Sequence, residues 1–399
     1  MEILRHVGYY LCCSYVFYYT HISPTFPYIA PKAFAFRRGS TVSLIMEAYD
    51  IFFNGSLQLT KAQKATIENE IRDQKTRIDN SGTGQTYENV VFLIIESYLS
   101  YTSDKKIDGK EVTPFLNSLK KDSTVYYNGQ MSENVTMGES SDGQFIYMTG
   151  LLPLRSSITI SKARDAELPG LPKHLSKRTH MIVPTISSMW AQDEMCQQYG
   201  FELLYSQSDY AKGEYSYLND EQVFQLAMQK DKETDNPFFS VVLTMSMHQP
   251  YRKQIDSTLL ITDPSMPKDL ACYLNACHYT DRQVERYFEH LKRSGLYDNS
   301  LIVIAADHSV HNTDFGGVSK EIPLYIVNVP NSIRDKMWKG ACNQIDVYPT
   351  ILDLLGIESD WYGLGHSLLS PNYCNAIDSK KWDVSEWIIR GDYFSNQQR

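Results

Sequence analysis

Acidic and imidazole side chains directly follow two apolar stretches of the sequence. Glu96 comes after NVVFLII, and the adjacent pair Asp307 and His308 comes after LIVIAA. Ligands of open α/β sheets bind beyond the carboxyl ends of the strands, and a carboxylate beside an imidazole can share a divalent cation. The three residues therefore predict a metal site at one sheet edge. The alternative is an ordinary capped turn in which His308 is satisfied by neighbouring polar groups.

A serine-containing stretch, GESSDGQF at 138–145, leads into an apolar segment. Ser140 or Ser141 is therefore suited to the N-cap of a helix. A helix N-terminus also binds phosphate and stabilises negative charge on oxygen, and a serine hydroxyl whose pKa is lowered by a metal can attack phosphorus. The capping role and the nucleophilic role are compatible, so position alone does not separate them. His248, shortly after the run FFSVVLT, is another ionisable group near a predicted strand end.

Continuous apolar runs, typical of strands buried on both faces of a parallel sheet, recur after residue 87. The predicted strands cover 89–95, 124–127, 180–184, 238–244, 301–306 and 322–327. Residues recurring at helical spacing, or a proline in the first turn, predict helices. The predicted helices cover 60–71, 113–121, 273–291 and 346–355, and glycines at 295 and 356 end the last two. Strands that alternate with helices predict an α/β fold with a doubly wound, mainly parallel sheet flanked by helices.

Changes in composition divide the chain into three predicted parts. Residues 1–86 form an N-terminal, membrane-proximal helical segment that ends in the polar, glycine-bearing linker 79–86. Residues 87–370 carry the strand and helix pattern and form the predicted catalytic domain. Residues 371–399 form a small C-terminal appendage.

The N-terminal segment contains two further features. A helix is predicted over Val42–Phe52, with one apolar face. The apolar, tyrosine-rich run Val7–Tyr19 is shorter than the roughly 20 residues that span a bilayer, and tyrosine prefers the boundary between bilayer and water. The run is either the outer end of a membrane helix or a buried N-terminal helix.

Overall composition argues against nucleic acid as a partner. The chain has 38 Lys and Arg residues against 47 Asp and Glu residues, and it contains no basic cluster. None of the seven cysteines has zinc-finger spacing. A disulfide such as Cys342–Cys374 would require an oxidising compartment, and the sequence does not fix the pairing.

The order of these motifs resembles the sulfatase-like division of the alkaline phosphatase superfamily over about residues 87–370. Within that division the chain is most similar to the lipoteichoic acid synthase and phosphoglycerol/phosphoethanolamine transferase branch. True sulfatases resemble one another in paired aspartates after the first strand and in a Cys/Ser-x-Pro-x-Arg stretch, whereas this first strand ends in the single Glu96 and neither Pro nor Arg follows Ser140 in that pattern. The motifs that carry the resemblance are NVVFLIIES, TPFLNSLKKD, GESSDGQF, MSMHQPY, YTDRQVERYFEHLKRSGLYDNSLIVIAADHS and DVYPTILDLLGI.

The resemblance implies a role for each residue that matches the branch. Glu96, Ser140, Asp307 and His308 would ligate one divalent metal ion, with Ser140 in the place of the branch's nucleophilic threonine. His248 takes the place of a histidine that contacts the substrate phosphate. Manganese, zinc and magnesium are all compatible with a mixed carboxylate, imidazole and alkoxide shell, and manganese is slightly favoured.

The chain departs from the branch at several positions, and a histidine that lies upstream of a tryptophan in the branch has no clear counterpart here, although His180 is nearby. A lysine that precedes the nucleophile in the branch is replaced here by Glu139, and a Trp-x-Arg stretch is represented by Trp190 and Gln192. Trp190 and Gln192 are predicted to contact the substrate. The loss of two cations weakens the recognition of a glycerol phosphate, so the resemblance defines the fold and the metal site more closely than the substrate.

The function implied by the resemblance is a metal-dependent transfer of a phosphoglycerol or phosphoethanolamine group. The donor is a membrane lipid, the acceptor is a glycan or lipid, and the intermediate is a phospho-serine. The domain is expected at the extracytoplasmic face of the bacterial cytoplasmic membrane, in the cell envelope, with membrane helices encoded outside this chain. One alternative is a sulfatase-like or phosphodiester hydrolase on the same metal site. The other is a non-catalytic domain that binds glycan or lipid.

Overall fold

A computed structural model of the chain describes most of residues 57–395. Among the described residues, no helix has both the length and the apolar character needed to cross a membrane. The predicted helix Val42–Phe52, the run Val7–Tyr19 and nearly all of the linker 79–86 lie outside the described residues. The described ranges are 57–78, 86–175, 177–210, 217–234, 237–251, 265–310, 315 and 317–395.

An eight-stranded sheet, in the order β10-β4-β9-β8-β1-β7-β5-β6, forms the centre of the described fold. Strand β9 runs antiparallel to both of its neighbours, and the other neighbouring pairs are parallel. The prediction of a mainly parallel α/β sheet flanked by helices is therefore confirmed. The strands are β1 Asn89–Ile95, β2 Lys106–Ile107, β3 Lys110–Glu111, β4 Val125–Ser132, β5 Arg178–Ile182, β6 Leu203–Tyr205, β7 Phe238–Leu243, β8 Ser300–Ala306, β9 Ile322–Val327 and β10 Cys342–Asn343, of which β2 and β3 form a separate antiparallel pair.

The central strands are buried along their whole lengths. Every residue of β1, β7, β8 and β9 is buried, which explains why these strands have continuous apolar sequences. Strand β1 pairs with β8 up to Ile95 opposite Ala306, and with β7 up to Ile94 opposite Leu243. The carboxyl ends of three neighbouring strands therefore meet at one edge.

Helices flank the sheet, as the predicted winding requires. The longest, α8, has 26 residues and a strongly amphipathic pattern, and the chain leaves it through Gly295 at φ +73°. The helices are α1 Lys61–Gln74, α2 Pro114–Leu119, α3 Ser140–Thr149, α4 Ile160–Ala163, α5 Gln192–Tyr199, α6 Gln207–Tyr210, α7 Asp220–Glu233, α8 Lys268–Arg293, α9 Asn331–Arg334, α10 Val347–Leu355 and α11 Ser379–Arg390.

Some element boundaries differ from the sequence-based ones. Strand β4 was predicted to end at Tyr127 but continues to Ser132, because its second half is polar and pairs irregularly with β9 after Asn128. Strand β5 begins at Arg178 and ends at Ile182, two residues earlier than predicted at each end. The disulfide considered for Cys342 and Cys374 is not formed, since both residues are free cysteines.

Candidate metal and nucleophile site

Backbone hydrogen bonds fix the strand ends that carry the acidic residues. The Asp307 amide donates to the Ile95 carbonyl at 3.2 Å, and the Ser97 amide donates to Asp307 Oδ1 at 2.8 Å. The Glu96 amide donates to Thr244 Oγ1 at 3.0 Å. The side chains of Glu96 and Asp307 are therefore held by the sheet itself, which is a rigid support for a site.

All four residues predicted as metal ligands converge at this edge. His308 Nε2 lies 3.6 Å from Glu96 Oε1 and 3.6 Å from Asp307 Oδ2. Ser140 Oγ lies 3.0 Å from His308 Nε2 and 3.2 Å from Glu96 Oε2. Potential ligand atoms of Glu96, Asp307 and His308 all lie within 4.8 Å of one another, and the three residues are buried.

The orientation of His308 suits metal binding. Its Nδ1 lies 2.7 Å from the Ser309 carbonyl oxygen, so Nδ1–H donates to that oxygen. The other ring nitrogen, Nε2, faces Glu96, Asp307 and Ser140. A hydrogen bond from the outer nitrogen of a histidine fixes its tautomer and raises its basicity as a ligand.

The pKa values of the site residues are shifted because two carboxylates, Glu96 and Asp307, lie close together in a buried environment. Burial and the charge of Glu96 raise the pKa of Asp307 to about 7. Burial also opposes the charged form of Glu96, but His248 and His308 outweigh it and lower the pKa of Glu96. Burial disfavours the imidazolium of His308, yet Asp307 and Glu96 raise its pKa to about 9.

This donor set fits a divalent cation. Two buried carboxylates and one neutral imidazole nitrogen form a mixed oxygen and nitrogen shell, which suits manganese, zinc or magnesium. The crowding that raises the pKa of Asp307 would be relieved by a positive ion between the carboxylates. Glu96, Asp307 and His308 would hold the ion, and Ser140 would face it.

Helix α3 places Ser140, but it begins differently from the prediction. Glu139 is the N-cap residue, with φ 49° and ψ −114°, and Ser140 is the first helical residue. The prediction of Ser140 or Ser141 as the cap is wrong, because the helix begins one residue earlier than expected and Glu139, at the cap, makes no side-chain capping hydrogen bond. Asp142 Oδ2 accepts hydrogen bonds from the amides of Thr136 and Gly138, at 3.0 and 2.9 Å, and so holds the preceding loop.

Close packing brings α3 against the end of β8. A Cβ atom on Gly143 would lie 2.3 Å from the Asp307 carbonyl oxygen, so no larger residue fits there without displacement. Tyr147, one turn further, donates to the Ala306 carbonyl at 2.5 Å. The small residue at 143 therefore allows the helix to bring Ser140 within hydrogen-bonding distance of His308.

A cavity of about 400 Å³ opens over these residues, and the three predicted substrate-contacting residues lie in its wall. His248 is exposed, and its Nδ1 lies 2.6 Å from the Gln249 carbonyl oxygen. Trp190 is half-buried and has a left-handed backbone, with φ 54°. Gln192 is buried and donates through Nε2 to Gln144 Oε1 at 3.0 Å.

Sequence reasoning missed some residues at the site. Gln144 lines the cavity one helical turn after Ser140, and that spacing on a predicted helix could have identified it. Thr244 and Glu133 orient the backbone around Glu96 and Ser309, through bonds from the Glu96 amide and the Ser309 amide. No pattern in the sequence pointed to Glu133, because the contact joins distant parts of the chain.

The model of the family described as Sulfatase matches residues 88–357 of this chain. The chain belongs to the Sulfatase family. The match includes every predicted metal ligand, and it confirms both the resemblance that the motifs indicated and the prediction of an enzyme of this family. Residues 88–357 contain strands β1 to β10, so the family region coincides with the sheet that positions the site.

Individual relatives of this Sulfatase-family chain agree with that assignment. Lipoteichoic acid synthase 2 of Bacillus subtilis (strain 168) is 29% identical over 320 residues, covering 74% of this chain and 49% of that protein. The chain spans about half the length of the curated relatives it matches.

Solved structures of similar proteins confirm the fold. Lipoteichoic acid synthase LtaP from Listeria monocytogenes has a TM-score of 0.65 at 19% identity, covering 82% of this chain and 98% of that one. Phosphoglycerol transferase GacH from Streptococcus pyogenes, in complex with sn-glycerol-1-phosphate, has a TM-score of 0.57 at 17% identity, covering 85% and 94%.

Proposed function

We propose that the chain is a metal-dependent phosphotransferase with Ser140 as its nucleophile. The observation that carries the proposal is the position of Ser140 Oγ, 3.0 Å from His308 Nε2 and 3.2 Å from Glu96 Oε2, at the floor of the cavity. A bound divalent ion would lower the pKa of the Ser140 hydroxyl and neutralise negative charge on the transferred phosphoryl group. The names of the relatives, which are lipoteichoic acid synthases and a phosphoglycerol transferase, support the same reaction class.

The proposed reaction has two displacements at phosphorus. In the first, a bond forms between Ser140 Oγ and the phosphorus of a phospholipid, the bond from phosphorus to the diacylglycerol oxygen breaks, and diacylglycerol leaves with the proton lost by Ser140. In the second, the oxygen of a glycan or lipid acceptor hydroxyl bonds to phosphorus, the bond from phosphorus to Ser140 Oγ breaks, and the proton lost by the acceptor passes to Ser140. The transferred group is a phosphoglycerol or a phosphoethanolamine.

Residues of the chain stabilise the transferred group in distinct ways. Ser140 is the first residue of α3, so the helix N-terminus directs backbone N–H groups toward oxygens on phosphorus. His248, exposed in the cavity wall, is placed to donate a hydrogen bond to the phosphoryl group. Trp190 and Gln192 form the wall against which the remainder of the substrate would be positioned.

The proposed location is the extracytoplasmic face of the bacterial cytoplasmic membrane, because the membrane supplies the phospholipid donor. The proposal rests on the resemblance to the transferase branch. Manganese is the proposed ion, and zinc and magnesium fit the same ligands. Removal of metal with a chelator should abolish transfer, and readdition of each ion in turn should identify the one that restores it.

Replacement of Ser140 tests the mechanism directly. We expect Ser140→Ala to lower transfer by about a thousandfold or more, because it removes the attacking hydroxyl. Ser140→Thr keeps a hydroxyl at the same atom and should retain measurable transfer and form the phosphorylated intermediate. Both variants should keep the thermal transition of the wild-type protein. Undiminished transfer by Ser140→Ala would exclude Ser140 as the nucleophile.

A hydrolase is the second candidate, and one observation favours it. Gln192, a neutral residue, lies in the cavity wall at the position where the resemblance implies an arginine, so binding of a second, anionic substrate would be weaker. Water would then be the acceptor. Measurement of products with and without a glycan or lipid acceptor separates the two reactions, since a hydrolase releases the free phosphate ester at the same rate in both.

A further inference from the structure

Asp307 and His308 lie in a short turn whose backbone is held from outside the site. The Asp307 amide donates to β1 in the sheet. The Asp307 carbonyl oxygen accepts a hydrogen bond from Gln344 Nε2 at 2.6 Å, and the Ser309 amide donates to Glu133 Oε2. The backbone on both sides of these two predicted metal ligands is therefore bonded to side chains from distant parts of the chain.

Gln344 reaches this turn because two strands end beside each other. Strand β10 pairs in parallel with the end of β4, with Asn343 opposite Ser132, and Gln344 and Asn134 follow one and two residues later. Gln344 begins a one-turn 3-10 helix whose last residue, Asp346, accepts the Asn343 amide at 2.8 Å. The side chain of Gln344 therefore extends from a backbone that the sheet and this helix hold in place.

Both ends of the Gln344 amide are occupied, and only one orientation of the amide satisfies both. Nε2 donates to the Asp307 carbonyl, and Oε1 accepts the Asn134 amide at 3.0 Å. The reversed amide would place two acceptors together at one end and two donors together at the other. Asn134 completes the contact, since its Oδ1 accepts the Ile345 amide at 3.0 Å. Gln344 is 0% exposed, so a side chain without these functions would leave buried backbone groups unpaired.

Glu133 holds the other side of the turn by accepting the Ser309 amide. Ser309 also fixes the ring of His308, because its carbonyl oxygen accepts a hydrogen bond from Nδ1 at 2.7 Å. Displacement of Ser309 would therefore turn Nε2 of His308 away from the other predicted ligands. Glu133 directly precedes Asn134, so one segment after β4 supports both the carbonyl of Asp307 and the amide of Ser309.

We propose that Gln344 and Glu133 are positioning residues that hold Asp307 and His308 in the arrangement that binds the divalent ion. Neither is among the described residues that line the cavity over Ser140, so both act through the ligands and not on the substrate. The inference rests on the proposed function, because it concerns the metal ion on which that function depends. Loss of a partner that orients metal ligands typically weakens metal binding by about 10–100-fold.

Metal affinity of the purified full chain tests the inference. Protein freed of metal with a chelator is titrated with manganese, and with zinc and magnesium in separate titrations, and calorimetry gives the Kd. We expect Gln344→Met, which is similar in size, to raise the Kd by about tenfold or more, because the Asp307 carbonyl and the Asn134 amide lose their partner.

Gln74→Met is the matched control for loss of a buried amide. Gln74, in α1, is 1% exposed and accepts the Tyr362 amide at 2.9 Å. It is not among the described residues of the cavity wall. Gln74→Met should lower the temperature of the thermal transition and leave the Kd for metal unchanged.

Two variants of Glu133 separate its hydrogen bond from its charge. Glu133→Gln removes the charge but keeps an oxygen that can accept the Ser309 amide, so the Kd should stay close to the wild-type value. Glu133→Ala removes the acceptor and should raise the Kd by about tenfold or more. An equal rise in both variants would show that the charge acts on the ion directly, and would overturn the positioning role of Glu133. Glu133 is only partly buried, so this pair tests the inference if Gln344→Met does not fold.

The possible outcomes separate this inference from the proposed function. An unchanged Kd in Gln344→Met or in Glu133→Ala would overturn the role of that residue and leave metal-dependent transfer intact. A Kd that rises as much in Gln74→Met as in Gln344→Met would overturn the role of Gln344, since loss of stability alone would then account for weaker binding. Folded wild-type protein that binds none of the three ions would overturn the proposed function and this inference with it.

Discussion

Ser140 depends on a backbone conformation that few residues adopt. Glu139, immediately before it, has φ 49° and ψ −114°, a region that costs about 1–3 kcal/mol for a residue with a side chain. Such a conformation persists only where surrounding contacts hold it. Here Asp142 provides them, since Oδ2 of this buried carboxylate accepts the amides of Thr136 and Gly138.

Replacement of Asp142 should therefore affect catalysis through the position of Ser140. We expect Asp142→Ala to lower the free energy of unfolding by about 1–3 kcal/mol, because two backbone N–H groups lose their acceptor. Transfer should fall by about tenfold or more, since the loop that precedes Ser140 is released. Metal content should not change, because Asp142 is not a ligand. Urea unfolding, transfer rate and metal analysis measure the three quantities.

The conservative variant provides the control for this positioning role. Asp142→Asn keeps an oxygen that can accept both amides, so it should recover most of the transfer lost in Asp142→Ala. A loss of bound metal in Asp142→Ala would contradict the prediction, because it would show that the damage extends to Glu96, Asp307 and His308.

Residues of the site were predictable from sequence to different degrees. Glu96, Asp307 and His308 follow apolar runs directly, and the strand ends that carry them must meet in a parallel sheet. The place before an apolar segment pointed to Ser140 or Ser141, and the resemblance to the transferase branch selected Ser140. The Gln144–Gln192 pair was not predicted as a pair, because two helices far apart in sequence bring the side chains together.

At the scale of elements, burial determined which strands could be predicted. The fully buried strands β1, β7, β8 and β9 appear in the sequence as unbroken apolar runs. Short strands at or near the sheet edges, such as β6 and β10, have only three and two residues and carry no such pattern. The reversed direction of β9 was also not predictable, since direction depends on the connections and not on the composition of the strand.

A buried acid that joins two helices should make stability depend on pH. Asp281, on α8, accepts the amides of Phe115 and Leu116 at the start of α2, both at 2.9 Å. Burial raises the pKa of Asp281 to about 7, despite these two hydrogen bonds. The unfolded value is near 3.9. Between the two values the folded protein retains a proton that the unfolded chain has lost, so the contribution of Asp281 to stability falls as pH rises from about 4 to about 7.

Asp281→Asn removes this titration and isolates the effect. The free energy of unfolding of wild type minus that of Asp281→Asn should be larger at about pH 4.5 than at about pH 8. Urea unfolding at both pH values measures the difference. Ser379→Ala, at an exposed position of α11, is the control and should show the same difference from wild type at both pH values. The same difference at both pH values would show that the pKa of Asp281 is not raised in the folded protein.

For the whole molecule, the two ends of the described chain lie together. Helix α11 packs against α1, where the Leu57 amide donates to the Arg390 carbonyl at 2.8 Å and Lys380 Nζ lies 3.2 Å from Glu70 Oε2. The family match ends at residue 357, before α11 begins. The proposed division into a catalytic domain over 87–370 and an appendage over 371–399 therefore depends on whether α11 unfolds with the sheet or separately.

Ile388 on α11 distinguishes these possibilities, because its side chain is 1% exposed and belongs to the hydrophobic core. If α11 folds cooperatively with the sheet, Ile388→Ala should lower the free energy of unfolding by about 2–5 kcal/mol, in one transition. Ser379→Ala, at an exposed position of the same helix, should change it by less than about 0.5 kcal/mol.

Calorimetry measures the number of unfolding transitions and their temperatures. A main transition that is unchanged in Ile388→Ala, with an early loss of helix alone, would instead mean that 371–399 is an independent appendage. Since α11 packs mainly against α1 and α4, transfer by folded Ile388→Ala should remain near the wild-type rate.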